Sequence, residues 1–144
     1  MAFYLVSGQV PVHPSGRWLT TERLYLASAV CTHAERPDTP LQPADAARLL
    51  VAFMRSEISD PVCDWLADGI ADPTVLVRAL AEMAPDNLVS EPLFMLVWCE
   101  YRDGDPDAAQ VALARLRAVD PNYLRTRGER YSRWIAGLPA DAKG

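Results

Sequence analysis

The sequence has little of what marks membrane-spanning, secreted or disulfide-bonded proteins. Its longest apolar run, from Pro92 to Cys99, is far shorter than the roughly 20 residues that cross a bilayer. No basic segment precedes the apolar residues 2–6, so we expect no secretory signal and a cytoplasmic protein. The three cysteines, Cys31, Cys63 and Cys99, are odd in number and widely spaced, which argues against a disulfide framework and a CxxC zinc site. We therefore expect buried, inert thiols.

The sequence also lacks the short motifs of common catalytic and cofactor sites. It has no glycine-rich phosphate loop, no HExxH, no GxSxG and no DxDxDG segment. Its two histidines, His13 and His33, fall in or beside predicted loops and accompany no nucleophile motif. We therefore predict no catalytic residue, no metal site and no cofactor. An enzyme with an unrecognised site remains a second alternative function.

Length and composition are those of one globular domain. The 144 residues are half apolar and 23% charged. A chain of this length buries roughly 70% of its unfolded surface, so it needs neither disulfides nor metals to fold. The net charge of −5 argues against a protein that coats nucleic acid over its whole surface. We divide the single domain 1–144 into an N-terminal hairpin plus helix (1–37), a helical core (38–140) and a tail (141–144).

Asp-Pro pairs divide most of the chain into predicted helices; they stand at 60–61, 72–73, 105–106 and 120–121. An aspartate carboxylate accepts the free N–H groups of a first helical turn, and proline at the next position loses no hydrogen bond. These caps and the apolar spacing predict helices over 21–34, 43–56, 61–69, 73–84, 91–103, 106–119 and 122–136. Residues 3–13 favour a short β-hairpin. The predicted fold is mostly α, with five to seven antiparallel helices and a short N-terminal β-hairpin.

Part of the helical region resembles one tetratricopeptide repeat. Within residues 90–123, the pattern of that repeat is matched by Gly104-Asp105-Pro106-Asp107, then by Ala109, Leu113 and Asp120-Pro121-Asn122. The resemblance implies an antiparallel helix pair of the kind that stacks into arrays with a concave binding face. A single repeat cannot form a solenoid, because about three are needed to bury a continuous core.

A wider resemblance covers roughly residues 38–140. It is carried by Thr39-Pro40-Leu41, residues 44–52, Glu91-Pro92-Leu93 with Trp98, residues 104–113, Asp120-Pro121-Asn122-Tyr123 and residues 136–139. Together these segments resemble the C-terminal helical half of an actinobacterial family known only as a domain of unknown function. Residues 1–37 do not share the resemblance, and the α/β N-terminal half of the family is expected to be missing. The resemblance implies a fold and a lineage but no reaction.

The predicted helix 91–103 carries the main candidate site. Phe94, Trp98 and Tyr101 share one face at spacings i, i+4 and i+7, and Arg102 follows directly. In a tetratricopeptide-like array this face would line the groove, and aromatic residues with arginine dominate binding hot spots. We therefore predict that another protein, or a second copy of this chain, binds at these four residues. The alternative is a central helix that is apolar nearly all round because it is buried on every side.

A basic segment supplies the alternative function. Residues 115–133 hold six arginines against Asp120 and Glu129, a local charge of +4 in an otherwise acidic chain. Arginines that alternate with aromatic rings can pair with phosphates and stack on bases. The candidate residues of such a nucleic-acid-linked regulator are Arg125, Arg127, Arg130, Arg133 and Tyr131. Alternatively, the rings pack on the preceding helix while the arginines are solvated or paired with surface carboxylates.

Overall fold

The described part of the chain is all helical. The computed structural model describes residues 15–126 and 138–139. Within these ranges the chain forms seven helices and no strand: α1 (Gly16–Glu35), α2 (Pro43–Met54), α3 (Ser56–Ala67), α4 (Thr74–Met83), α5 (Ser90–Arg102), α6 (Pro106–Val119) and α7 (Tyr123–Thr126). The prediction of a mostly α fold is therefore confirmed. The predicted hairpin 3–13, most of the predicted helix 122–136 and the tail 141–144 lie outside the described residues.

Local capping explains where several of the helices begin and end. The Asp105 carboxylate accepts the N–H of Ala108 at 3.1 Å, and Pro106 occupies the first position of α6 as expected. Gly104 precedes this cap with φ of +82°, a left-handed conformation that favours glycine and ends α5. At the other end of the chain, Ser15 caps α1 by accepting the N–H of Trp18, so α1 begins five residues before the predicted position 21.

The prediction that Asp60-Pro61 starts a helix is wrong. Helix α3 begins at Ser56 and contains Pro61 in its interior. A proline there cannot donate to the carbonyl four residues earlier, which is that of Glu57. The side chain of Arg23 on α1 donates from Nε to this same oxygen at 2.7 Å. The carbonyl that Pro61 leaves without its helical partner is therefore satisfied from a neighbouring helix.

Helix α5 is the centre of the core. It packs against α4, α6 and α2, while α1 packs against α3, α4 and α2. Nine of the thirteen residues of α5 are buried, so it has solvent on only a narrow strip near its C-terminal end. This agrees with the alternative interpretation of its all-round apolar sequence. None of the described helices combines the length and apolarity that spanning a membrane requires.

Candidate functional site

The C-terminal end of α5 presents a tryptophan and an arginine together on the surface. The guanidinium carbon of Arg102 lies 5.1 Å from the centre of the Trp98 ring, within cation–π distance. Nη2 of Arg102 donates to Oδ1 of Asp72 at 2.7 Å, and its Nε donates to Oδ1 of Asp103 at 3.0 Å. The helical spacing i, i+4 places the ring and the guanidinium on one face. The two aspartates then fix the arginine over the partly buried indole.

Two loops meet at this point: residues 68–73 before α4, and residues 103–105 between α5 and α6. They meet because α4 and α6 both flank α5. The loop 68–73 supplies Asp72, whose Oδ1 also accepts the N–H and the hydroxyl of Thr74 at 3.0 and 2.6 Å. Helix α4 begins at Thr74, one residue later than predicted. Ile70 in the same loop is 61% exposed. Below, the loop 68–73 together with Trp98, Tyr101, Arg102 and Asp103 is called the Trp98 surface.

The pKa values of Asp72 and Arg102 both shift in the direction that favours their ion pair. Burial opposes ionisation of Asp72, but the hydrogen bonds from Thr74 and Arg102 outweigh it and lower the pKa of the carboxyl. Partial burial likewise opposes the charge on Arg102, yet its hydrogen bonds to Asp103 and Asp72 raise its pKa. Both groups are therefore charged at neutral pH.

The other two predicted partner-binding residues, Tyr101 and Phe94, differ in exposure. Tyr101 is half-buried, and its hydroxyl accepts a hydrogen bond from the Gln110 side chain on α6. Phe94 is only 2% exposed, and its ring centre lies 5.5 Å from that of Tyr123. The structure therefore brings Trp98, Tyr101 and Arg102 to the surface, whereas Phe94 faces the core.

The predicted nucleic-acid residues are largely outside the described chain. Arg127, Arg130, Tyr131 and Arg133 lie beyond residue 126. Arg125 is exposed and lines a cleft between α6 and α7.

Arg115, which lies in the same basic segment, has a structural contact within the described residues. Its Nη1 donates to the Ala81 carbonyl at 2.6 Å, and its Nη2 lies 3.7 Å from Oδ1 of Asp86. It thereby ties α6 to the C-terminal end of α4.

No cluster of three or more His, Cys, Asp or Glu that could hold a metal ion occurs in the described ranges. Cys63 and Cys99 are buried and Cys31 is half-buried, and no disulfide links the three. Burial raises the pKa of the Cys99 thiol to about 12, so this sulfur is protonated at neutral pH. His33 is buried at the C-terminal end of α1.

Sequence reasoning missed the acidic residues that hold Arg102. Asp72 was interpreted only as a helix cap, and Asp103 was not singled out. The signal for the first was present, because Asp72-Pro73-Thr74 is a turn-forming segment with an acceptor. Its proximity to Arg102, 30 residues later, depends on how α4 packs on α5 and could not be derived from spacing.

Comparison with known families assigns the chain to one of them. The family described as "Domain of unknown function (DUF4192)" matches residues 11–125, which is most of the sequence. The chain belongs to the DUF4192 family. No curated protein and no solved structure matches it. The expected resemblance covered 38–140 and left out residues 1–37; the DUF4192 match corrects this, because it includes 11–37 and therefore α1.

Proposed function

We propose that this DUF4192 chain is a non-enzymatic protein-interaction module, a small cytoplasmic adaptor or regulator whose partner docks on the Trp98 surface. The observation that supports the proposal most is the partly exposed Trp98 ring with the Arg102 guanidinium fixed over it. Tryptophan, tyrosine and arginine are the residues enriched at binding hot spots, and all three occur within this strip of α5.

The fixed geometry of Arg102 favours binding. Ordering a long side chain on association costs about 0.5–1.5 kcal/mol, and this cost is lower for a side chain that is already held. Arg102 is held by Asp72 and Asp103 before any partner arrives. Nearby, Ile70 offers an exposed apolar contact in the loop that carries Asp72.

The charge of the surrounding chain indicates the chemistry of the partner. Residues 68–74 and 102–107 together contain five aspartates and one arginine, a net charge of −4 within a chain whose total is −5. All five aspartates are exposed. A surface of this charge attracts a basic segment and repels an acidic one, which sets specificity and association rate more than affinity. We therefore propose that the partner presents lysines or arginines around an apolar anchor.

The helix pair next to the surface also supports an interaction role. Helices α5 and α6 are joined by only three residues, 103–105, and pack along each other, as a tetratricopeptide-like pair does. Helix pairs of this kind are often used to bind proteins, and this analogy supports the proposal.

The proposal is tested by capture from lysate of the native host with matched tryptophan variants. The bait variants are the wild type, Trp98→Ala and Trp18→Ala. Trp18 is the appropriate control because it is also half-buried under an arginine, with the Arg55 guanidinium 5.6 Å from its ring, but lies on α1. Circular dichroism and a thermal melt establish that each variant is folded before capture.

We expect the wild type and Trp18→Ala to retain the same protein through nuclease treatment, and Trp98→Ala to release it. Elution at rising salt is expected, because attraction between exposed charges is screened. A protein that binds Trp98→Ala as well as the wild type would contradict the proposal. Recovery of nucleic acid that nuclease removes would instead favour the regulator built on Arg125, Arg127, Arg130, Arg133 and Tyr131.

A further inference from the structure

The outward face of α1 carries no charged residue over its central turns. Between Arg17 and Glu35, both exposed, the exposed residues of this helix are Thr20, Thr21, Leu24, Ser28 and Thr32. Leu24 in the middle is 65% exposed. The buried residues Leu26, Val30 and His33 lie on the opposite side. A surface helix ordinarily places its charged residues toward water, so this face has the composition of a contact surface.

The charged residues inside α1 are turned toward neighbouring helices. Glu22 and Arg23 are the only two Asp, Glu, Lys or Arg between Arg17 and Glu35. Oε2 of Glu22 lies 2.8 Å from Nη2 of Arg48 on α2, and Arg23 donates to the Glu57 carbonyl on α3.

Two of the three threonine hydroxyls on the outward face, those of Thr20 and Thr21, are satisfied within the helix. Thr20 donates to the Gly16 carbonyl at 2.9 Å and Thr21 to the Arg17 carbonyl at 3.0 Å. Covering Thr20 and Thr21 would therefore leave neither hydroxyl proton without an acceptor, so the desolvation penalty of an unpaired polar group would not arise at these two positions.

Each end of α1 carries one exposed residue whose charge the helix dipole disfavours, and at the C-terminal end this residue stands beside His33 and the C-cap Arg36. The N-terminal turn of a helix is stabilised by negative charge and the C-terminal turn by positive charge. Here Arg17 lies in the first turn and Glu35 in the last. The two residues are 18 positions apart, which is five full turns, so they lie on the same face. A partner that places a negative charge beside Arg17 and a positive charge beside Glu35 would compensate both charges.

We infer that α1 pairs with α1 of a second copy of this chain in an antiparallel, two-fold arrangement. An alternate spacing of four and three residues, as in the seam of a coiled coil, relates the exposed positions 17, 21, 24, 28 and 35 and the half-buried position 31. An antiparallel pair places Arg17 opposite Glu35 of the second copy, and the two-fold axis repeats this ion pair at the other end.

The same register places Leu24 against Ser28 of the second copy, a large side chain over a small one. A parallel pair would instead put Arg17 beside Arg17 and Glu35 beside Glu35. The charges of the outward face therefore favour the antiparallel orientation, with a second copy of this chain as the occupant.

The seam is about 27 Å long at 1.5 Å per residue, which makes the interface a small one. We therefore expect a weak dimer that forms at high micromolar concentration. The contact involves none of the residues of the Trp98 surface, so self-association and partner capture can fail independently. A variant of α1 that loses self-association can still be tested for partner capture, and a variant of α5 that loses partner capture can still be tested for self-association.

Charge reversal tests the arrangement on the full chain. Sedimentation velocity is measured from about 10 µM to about 1 mM for the wild type, Arg17→Glu, Glu35→Arg and the double variant. Each single reversal should weaken dimerisation about tenfold or more, because it turns two attractive pairs into repulsive ones, and the double variant should restore it. Both single variants place the favoured sign at their end of the helix, so they are expected to fold normally.

Two variants that each replace an exposed apolar residue with aspartate complete the test. Leu24→Asp should abolish the dimer, whereas Val111→Asp, at a 73% exposed position on α6, should leave it unchanged. A wild type that remains monomeric at about 1 mM would overturn the inference. So would a double reversal that fails to restore association, or a Val111→Asp variant that disrupts it as strongly as Leu24→Asp.

Discussion

Replacing Phe94 with alanine should destabilise the protein severely, even though this residue was predicted to bind a partner. The ring is 2% exposed in the most buried helix and packs on Tyr123. Truncation of a buried phenylalanine to alanine costs about 3–5 kcal/mol, because the cavity collapses only in part. The free energy of unfolding of a domain is about 5–15 kcal/mol, so Phe94→Ala should lose from about a fifth to all of it.

Urea denaturation followed by circular dichroism measures this cost against two reference variants. Phe94→Leu retains most of the volume and should lose less than about 2 kcal/mol. Trp98→Ala should also lose less than Phe94→Ala, because the Trp98 side chain is only partly buried. If Phe94→Ala costs under about 1 kcal/mol, the ring does not lie in a packed core and our assignment of the two faces of α5 is incorrect.

Two further predictions follow from hydrogen bonds between elements. Arg23→Met should lower the free energy of unfolding by about 1 kcal/mol in the wild-type background. The loss should be smaller in the Pro61→Ala background, because the restored N–H of residue 61 can donate to the Glu57 carbonyl in place of Arg23. A double-mutant cycle in urea measures the difference between the two losses. Equal losses in both backgrounds would refute the contact. Asp72 has a pKa lowered below its ordinary value near 3.8, so its contribution to stability is present above that pH and is lost as pH falls through the folded-state value. Thermal melts at a series of acid pH values should therefore show a shallower decline for Asp72→Asn than for the wild type, and identical slopes would contradict this.

The helix starts show what local sequence can and cannot predict. At Asp105-Pro106 the cap and the proline act within a single turn, so the start of α6 was predicted correctly. At Asp60-Pro61 the same dipeptide is inside α3, because Arg23 supplies the hydrogen bond that proline removes. That compensation comes from 34 residues away and has no local signal.

The candidate site was predictable in part for the same reason. The spacing of Trp98, Tyr101 and Arg102 placed them together on a helix, and the structure retains them at the surface. The sequence could not decide that Phe94 faces the core, since α5 is apolar on nearly every side and the packing of Tyr123 on Phe94 depends on the tertiary fold. Membership of the DUF4192 family likewise defines the lineage of the chain but not its partner.

Photocrosslinking in the native host tests most directly whether a partner occupies the Trp98 surface. A benzophenone amino acid is placed at Ile70, 61% exposed in the loop beside Arg102, and separately at Met54, 48% exposed near the N-terminal end of α5. We predict one discrete protein adduct from position 70, none from position 54, and loss of the adduct when Trp98→Ala is added. Adducts that form equally from both positions, or that persist without Trp98, would contradict the account.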